Sequence, residues 1–171
     1  PGVLIISNCG PTTVCNPANP NISGRSTTLI PSYYTTSGMG AGLHLEATCG
    51  PPGQFGFFLV SAGAGSALPI WMGILCLDMP IGRYNANSAA NQFPQLNSLG
   101  QFDATGNAFL NLAGTSTTGT GFDVPLALPL TPAGQVILPG DVWYFQLWHR
   151  DLVPGPLTPS ANFSDVYQGN F

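Results

Sequence analysis

The chain has 171 residues, of which 44% are hydrophobic and 6% charged, with no lysine and a formal net charge of −4. That length suits one domain with a sizeable core, and so few cations exclude a phosphate backbone or an anionic membrane surface as partner. The Trp, Phe and Leu content excludes a disordered chain as well. A charge-poor surface must then be kept wet by Ser, Thr, Asn and backbone or by glycan, or else be covered by neighbouring subunits.

Residues 1–8 (Pro-Gly-Val-Leu-Ile-Ile-Ser-Asn) hold a short apolar, largely β-branched strand, and residues 9–171 make up a single domain. The chain begins at Pro1 without an initiator Met, which is expected of a mature form whose leader has been removed. After a Cys/Pro/Asn-rich loop, residues 25–36 supply an edge strand, because Pro31 would break the ladder of a central one. Leu43, Leu45 and Ala47 alternate with His44, Glu46 and Thr48, the period of a half-buried strand. Residues 54–60 are apolar almost throughout, which predicts burial on both faces. No charge occurs from Ala47 to Leu77, yet Pro51, Pro52, Gly63, Gly65 and Pro69 would break a membrane helix, so no membrane span is expected.

Further strands are expected at 74–77, 81–84, 100–103, 108–112, 135–138 and 163–171. The strongest lies in Trp143-Tyr-Phe-Gln-Leu-Trp-His-Arg-Asp151. There Trp143, Phe145, Leu147 and His149 fall on one face and Tyr144, Gln146, Trp148 and Arg150 on the other. This strand should be central, with Trp143, Phe145 and Leu147 in the core. Turn signals every eight to twelve residues and no 3.6-residue apolar period predict an all-β fold. The expected architecture is a two-sheet antiparallel β-sandwich, jelly-roll or immunoglobulin-like, stapled by disulfides and with little helix.

Cys9, Cys15, Cys49 and Cys76 lack the spacing of a zinc site, and His44 and His149 are the only histidines. Disulfides are the better reading, and they imply an oxidising compartment, hence an extracellular or cell-surface location. Trp143-Tyr-Phe-Gln-Leu-Trp-His-Arg-Asp151, followed by Ser160-Ala-Asn-Phe-Ser-Asp165, resembles the end of a secreted domain family of planctomycete-type bacteria with the pattern W-x-F-Q-x-W-[YH]-R-D … S-N-F-S. Cys15-Asn-Pro-Ala-Asn-Pro-Asn-Ile-Ser-Gly24, Pro51-Pro-Gly-Gln-Phe-Gly-Phe-Phe58 and Leu75-Cys-Leu-Asp-Met-Pro-Ile-Gly-Arg-Tyr84 are similar to its upstream motifs. The resemblance implies a secreted β-domain, supplies no catalytic residues, and leaves residues 1–8 uncovered. It places cysteines at Cys15 and Cys76, so it implies a Cys15–Cys76 pair and, for the two additional cysteines, Cys9 with Cys49; the other two pairings stay open.

No nucleophile–His–acid arrangement has a local context such as G-x-S-x-G, and Glu46 and the six Asp form no evident glycosidase pair. His149 reads as a packed histidine, Arg150-Asp151 as an ion pair, and Phe102-Asp-Ala-Thr-Gly-Asn107 as a β-turn rather than a calcium loop. No enzyme, cofactor or metal is therefore expected. Asn21 and Asn162 fit the N-glycosylation acceptor, and Thr115, Ser116, Thr117 and Thr118 form a candidate O-glycosylated loop. Trp71, Tyr84 and Trp148 are candidate exposed aromatics, with Trp71 and Trp148 foremost for stacking on glycans. Val3, Leu4, Ile5 and Ile6 are either the first strand of their own sandwich or a donor strand for a neighbouring copy, because an uncapped apolar strand in so uncharged a chain is an aggregation hazard unless something pairs with it. The chain is thus expected to be a non-enzymatic structural subunit of an extracellular or surface assembly. Its partners would be copies of itself or other surface proteins, and the assembly a filament built by donor-strand complementation. The alternative is a carbohydrate-binding or adhesive module.

Overall fold

The computed structural model describes residues 15, 18–36, 40–85 and 96–171. Within them the chain is all-β, with strands β1 (Thr28–Thr36), β2 (Gly40–Thr48), β3 (Phe55–Ser61), β4 (Ala64–Ile70), β5 (Gly73–Leu77), β6 (Gly82–Arg83), β7 (Gly100–Phe102), β8 (Phe109–Asn111), β9 (Phe122–Val124), β10 (Val142–Leu152) and β11 (Pro159–Asn170). One sheet runs β1-β2-β9 and the other β11-β10-β3-β7-β8, with β6 also pairing β3; every pairing is antiparallel.

The two sheets form the expected sandwich. Leu29, Leu43, Leu45 and Phe122 from the small sheet meet Phe58, Phe102, Phe109, Phe145 and Leu147 from the large one. Aromatic contacts bind the layers together, with Phe58 and Phe122 stacked at 5.7 Å and Phe58 and Phe109 edge-to-face at 5.9 Å. Trp143, Phe145 and Leu147 are buried as the alternation requires, and β10 is central between β11 and β3. Pro31 lies in β1, the edge of its sheet, where a missing N–H is tolerated.

A third layer extends the two-sheet expectation. The β4–β5 hairpin packs on the outer face of the large sheet, where Leu59, Cys76, Leu77, Phe163 and Val166 make a second core. β3 is therefore covered on both sides, which accounts for its unbroken apolar run. Sequence reading passed over β4 because residues 64–70 are small, exposed and without alternation, and over β9 because it is only three residues long. Conversely, the strand expected at 135–138 is reduced to a single bridge between Ala127 and Val136.

Cys15 is disulfide-bonded to Cys76, with Cα atoms 6.1 Å apart across a sequence separation of 61 residues. Cys49 is also disulfide-bonded. Cys9, its expected partner, lies outside the described residues, as do Val3, Leu4, Ile5 and Ile6.

Candidate functional site

The buried polar residues of the last two strands hold backbone in place. Gln146 is fully buried; its Nε2 donates to Ile74 O and Ser164 O, both at 2.9 Å, and its Oε1 accepts from Cys76 N at 3.1 Å. One side chain thus joins β5 to β10 and β11. Between Gln146 and Trp148 the β10–β11 register slips, so that two residues of β11 oppose Leu147 alone. Ser164 fills this bulge by accepting from Leu147 N at 2.8 Å. Asp165 is turned toward the small sheet, where it accepts from Leu29 N at 2.8 Å.

His149 sits against Phe102, with Nδ1–H donating to Arg150 O and Nε2 accepting from Thr27 Oγ1, both at 3.0 Å. Burial lowers its pKa to about 4, against smaller upward pulls from the Arg150 carbonyl and Asp151, so the ring is neutral and packed. Asp151 accepts from Ile22 N at 3.0 Å, Leu152 N at 2.8 Å and Asn162 Nδ2 at 3.2 Å. The Arg150–Asp151 ion pair expected from sequence does not form, because adjacent residues of a strand point to opposite faces and Arg150 is exposed.

The structure assembles one acid–base cluster that the sequence did not reveal. His44 Nδ1 lies 2.6 Å from Asp123 Oδ1 and Nε2 lies 2.9 Å from Glu46 Oε1. Glu46 shares the β2 face with His44 two residues away, and Asp123 is His44's partner across the β2–β9 ladder. Desolvation pulls the His44 pKa down, but the hydrogen bonds and charges of Glu46 and Asp123 together hold it above its ordinary value. Glu46 also accepts from Thr120 Oγ1 at 2.7 Å, and Asp123 from Thr117 N at 2.7 Å, so the Thr-rich loop is pinned to the small sheet. Both ring nitrogens thus lie on carboxylates, and the Thr120 hydroxyl lies on Glu46.

An apolar groove opens among the described residues. Between the hairpin and the large sheet runs a groove of about 350 Å³ walled by Phe57, Leu59 and Trp148 on one side and Ile70 and Leu75 on the other, with Met79, Ile81, Phe163 and a single charged residue, Arg83, completing it. An adjoining hollow of about 370 Å³ shares Leu75, Met79 and Ile81 and reaches Leu68. Trp148 is half-buried there against Phe57, ring centroids 4.8 Å apart. Trp71 stands at the hairpin tip next to Ile70, 78% exposed and with φ of +55°. A bulky residue at positive φ is disfavoured in a turn that suits Asn or Gly, and so exposed a side chain gains little packing in return.

Compared with known protein families, characterised proteins and solved structures, the chain matches none.

Of the aromatics expected on the surface, Trp71 is exposed and Trp148 lines the groove, but Tyr84 is fully buried against Phe122 and its hydroxyl has no partner among the described residues. The two rings do not form an exposed coplanar platform. The candidate glycan acceptors Asn21 and Asn162 are buried. Asn21 Nδ2 donates to Cys49 O at 2.7 Å, and Asn162 Nδ2 to Pro20 O and Asp151 Oδ2 at 3.2 Å, which leaves neither nitrogen room for a sugar. In the loop, Thr115 and Ser116 donate their hydroxyls to Asn97 O and Thr120 O, while Thr117 and Thr118 are exposed. The expected Asp103 turn forms: Asp103 accepts from Thr105 and Asn107, and Gly106 takes φ of +72° where a Cβ would collide with the Gly50 carbonyl. No cluster of His, Cys, Asp and Glu able to hold a metal occurs among the described residues, and none of their helices is long and apolar enough to cross a membrane.

Proposed function

We propose that this protein is a non-enzymatic structural subunit of an extracellular or cell-surface assembly, in which Gly2–Ser7 of one copy completes the fold of the next. The observation that carries this reading is the uncovered apolar surface around the hairpin: a groove with one charge in its lining, rimmed by Met79 at 81% and Leu68 at 54% exposure. Surfaces of this kind mark interaction sites, for a protein partner among others. Secretion is supported by the disulfides, since such bonds persist in oxidising compartments. The absence of enzymatic activity is supported by the way each buried polar group of β10 and β11 described above is occupied by backbone or by another buried side chain.

Deleting residues 1–7 tests the reading. Sedimentation and electron microscopy should find filaments or oligomers for the full chain and monomers for the truncated one; intact polymers from the truncated chain would sink it.

Trp71 favours a second reading, a carbohydrate-binding or adhesive module, because an exposed indole at the hairpin tip offers a stacking face. Glycan-array binding that is lost in Trp71→Ala with the fold intact would establish it. A clean array removes it.

A further inference from the structure

We propose that the groove between the β4–β5 hairpin and the outer face of the large sheet is the acceptor site for Gly2–Ser7 of a second copy. This rests on the strand-donation reading above and assigns it a place on the molecule. Three observations meet at this groove.

The first is chemical match. The groove walls are aromatic and aliphatic, with Phe57, Leu75, Met79 and Trp148 facing the opening and Arg83 the lone charge. Gly2-Val-Leu-Ile-Ile-Ser7 carries no charge and four consecutive apolar side chains. In extended form, alternate residues such as Leu4 and Ile6 point the same way and enter the groove while the backbone runs along it.

The second is an available edge. Among the described residues β4 pairs only with β5, which leaves its other side for a further strand beside Leu68, which lines the adjoining hollow. The corresponding edge of β5 is already occupied, since Gln146 takes Cys76 N and Ile74 O. A strand added at the hairpin therefore goes beside β4.

The third is the tether. Cys15 is bonded to Cys76, and Cys76 lies between Leu75 and Leu77, both of which line the apolar hollows. Nine residue steps separate Ile6 from Cys15, but Cys49 is disulfide-bonded as well and the sequence offers it Cys9, so the free lead to Ile6 is three steps, roughly 10 Å when extended. A segment anchored so close to its own domain holds two copies together once the groove of a neighbour takes it.

The experiment uses the full chain with a photo-reactive amino acid in place of Met79, an exposed rim position. Equal amounts of ¹⁴N and ¹⁵N protein are mixed under assembling conditions, irradiated and digested for mass spectrometry. The expected result is a cross-link from position 79 to residues 2–7 in mixed-isotope pairs. Leu68→Glu and Met79→Glu in otherwise full chains should weaken assembly by about tenfold or more. If truncation at residue 7 abolishes assembly while position 79 links elsewhere and both Glu variants assemble normally, the groove is not the acceptor and strand donation stands. Links to residues 2–7 within single-isotope copies alone would show the strand filling its own groove, which overturns the exchange. Assembly that survives truncation overturns the underlying reading itself.

Discussion

Gln146 shows how a polar residue inside an apolar layer can hold two layers together. Its amide reaches three backbone groups on two strands at hydrogen-bonding distance, and all of them lie away from water. Gln146→Ala leaves Cys76 N–H, Ile74 C=O and Ser164 C=O unpaired in a buried setting. Each such group left unsatisfied is destabilising, so urea unfolding should report a loss of about 3 kcal/mol, and hydrogen exchange should find the hairpin loosened before the sandwich. Equal protection of hairpin and sandwich in the variant would mean that Gln146 is not the link. From the sequence Gln146 was only the polar member of an outward face; burial and the bulge at Ser164 make it a joint.

At the scale of the element, the hairpin is held to the sheet by Gln146, by the Cys15–Cys76 bond and by a modest apolar contact. Closing a loop with a sequence separation of 61 residues restricts the unfolded chain, worth about 4 kcal/mol on the chain-entropy account. Cys15→Ser combined with Cys76→Ser should lower stability by that order in a denaturant series. The turn of the same hairpin makes the opposite prediction. Trp71 occupies the left-handed region at the tip, and Trp71→Asn relieves a conformation that disfavours large L-residues by about 1 kcal/mol. Its melting temperature should rise, and association or glycan binding should fall if the indole serves a partner. A lower melting temperature would show that the indole contributes to folding after all.

Across the whole molecule the two histidines couple stability to pH with opposite signs. His149 is neutral in the fold with its pKa lowered to about 4, below the ordinary value of 6.5. The unfolded chain then binds more protons as pH falls through 6.5, so stability drops between about 6.5 and 4. His44 is raised above 6.5 by its carboxylates. Its contribution is complete below 6.5 and is lost as pH climbs through the folded pKa. Stability measured against pH should therefore peak near 6.5 on account of these two groups. His44→Gln should flatten the alkaline side and His149→Gln the acid side. An alkaline limb unchanged in His44→Gln would show that Asp123 and Glu46 do not hold its proton.

By itself the sequence determined what rests on local periodicity: the all-β class, the core residues of β10, the edge position of β1 forced by Pro31, and the two-faced burial of β3. The Cys15–Cys76 pair was legible only through resemblance, since cysteine spacing in a β-protein does not say which strands will meet. Tertiary structure alone decided the rest. His44, Glu46 and Asp123 converge because β9, three residues long and without a signal of its own, pairs with β2. Asn21 and Asn162, acceptors by motif, became buried fasteners because neighbouring carbonyls and a carboxylate took their amide protons. The groove exists because a weakly patterned hairpin folds back over the sheet. Periodicity records which way a side chain points along its own strand; what it meets there is set by pairings between residues far apart in the chain.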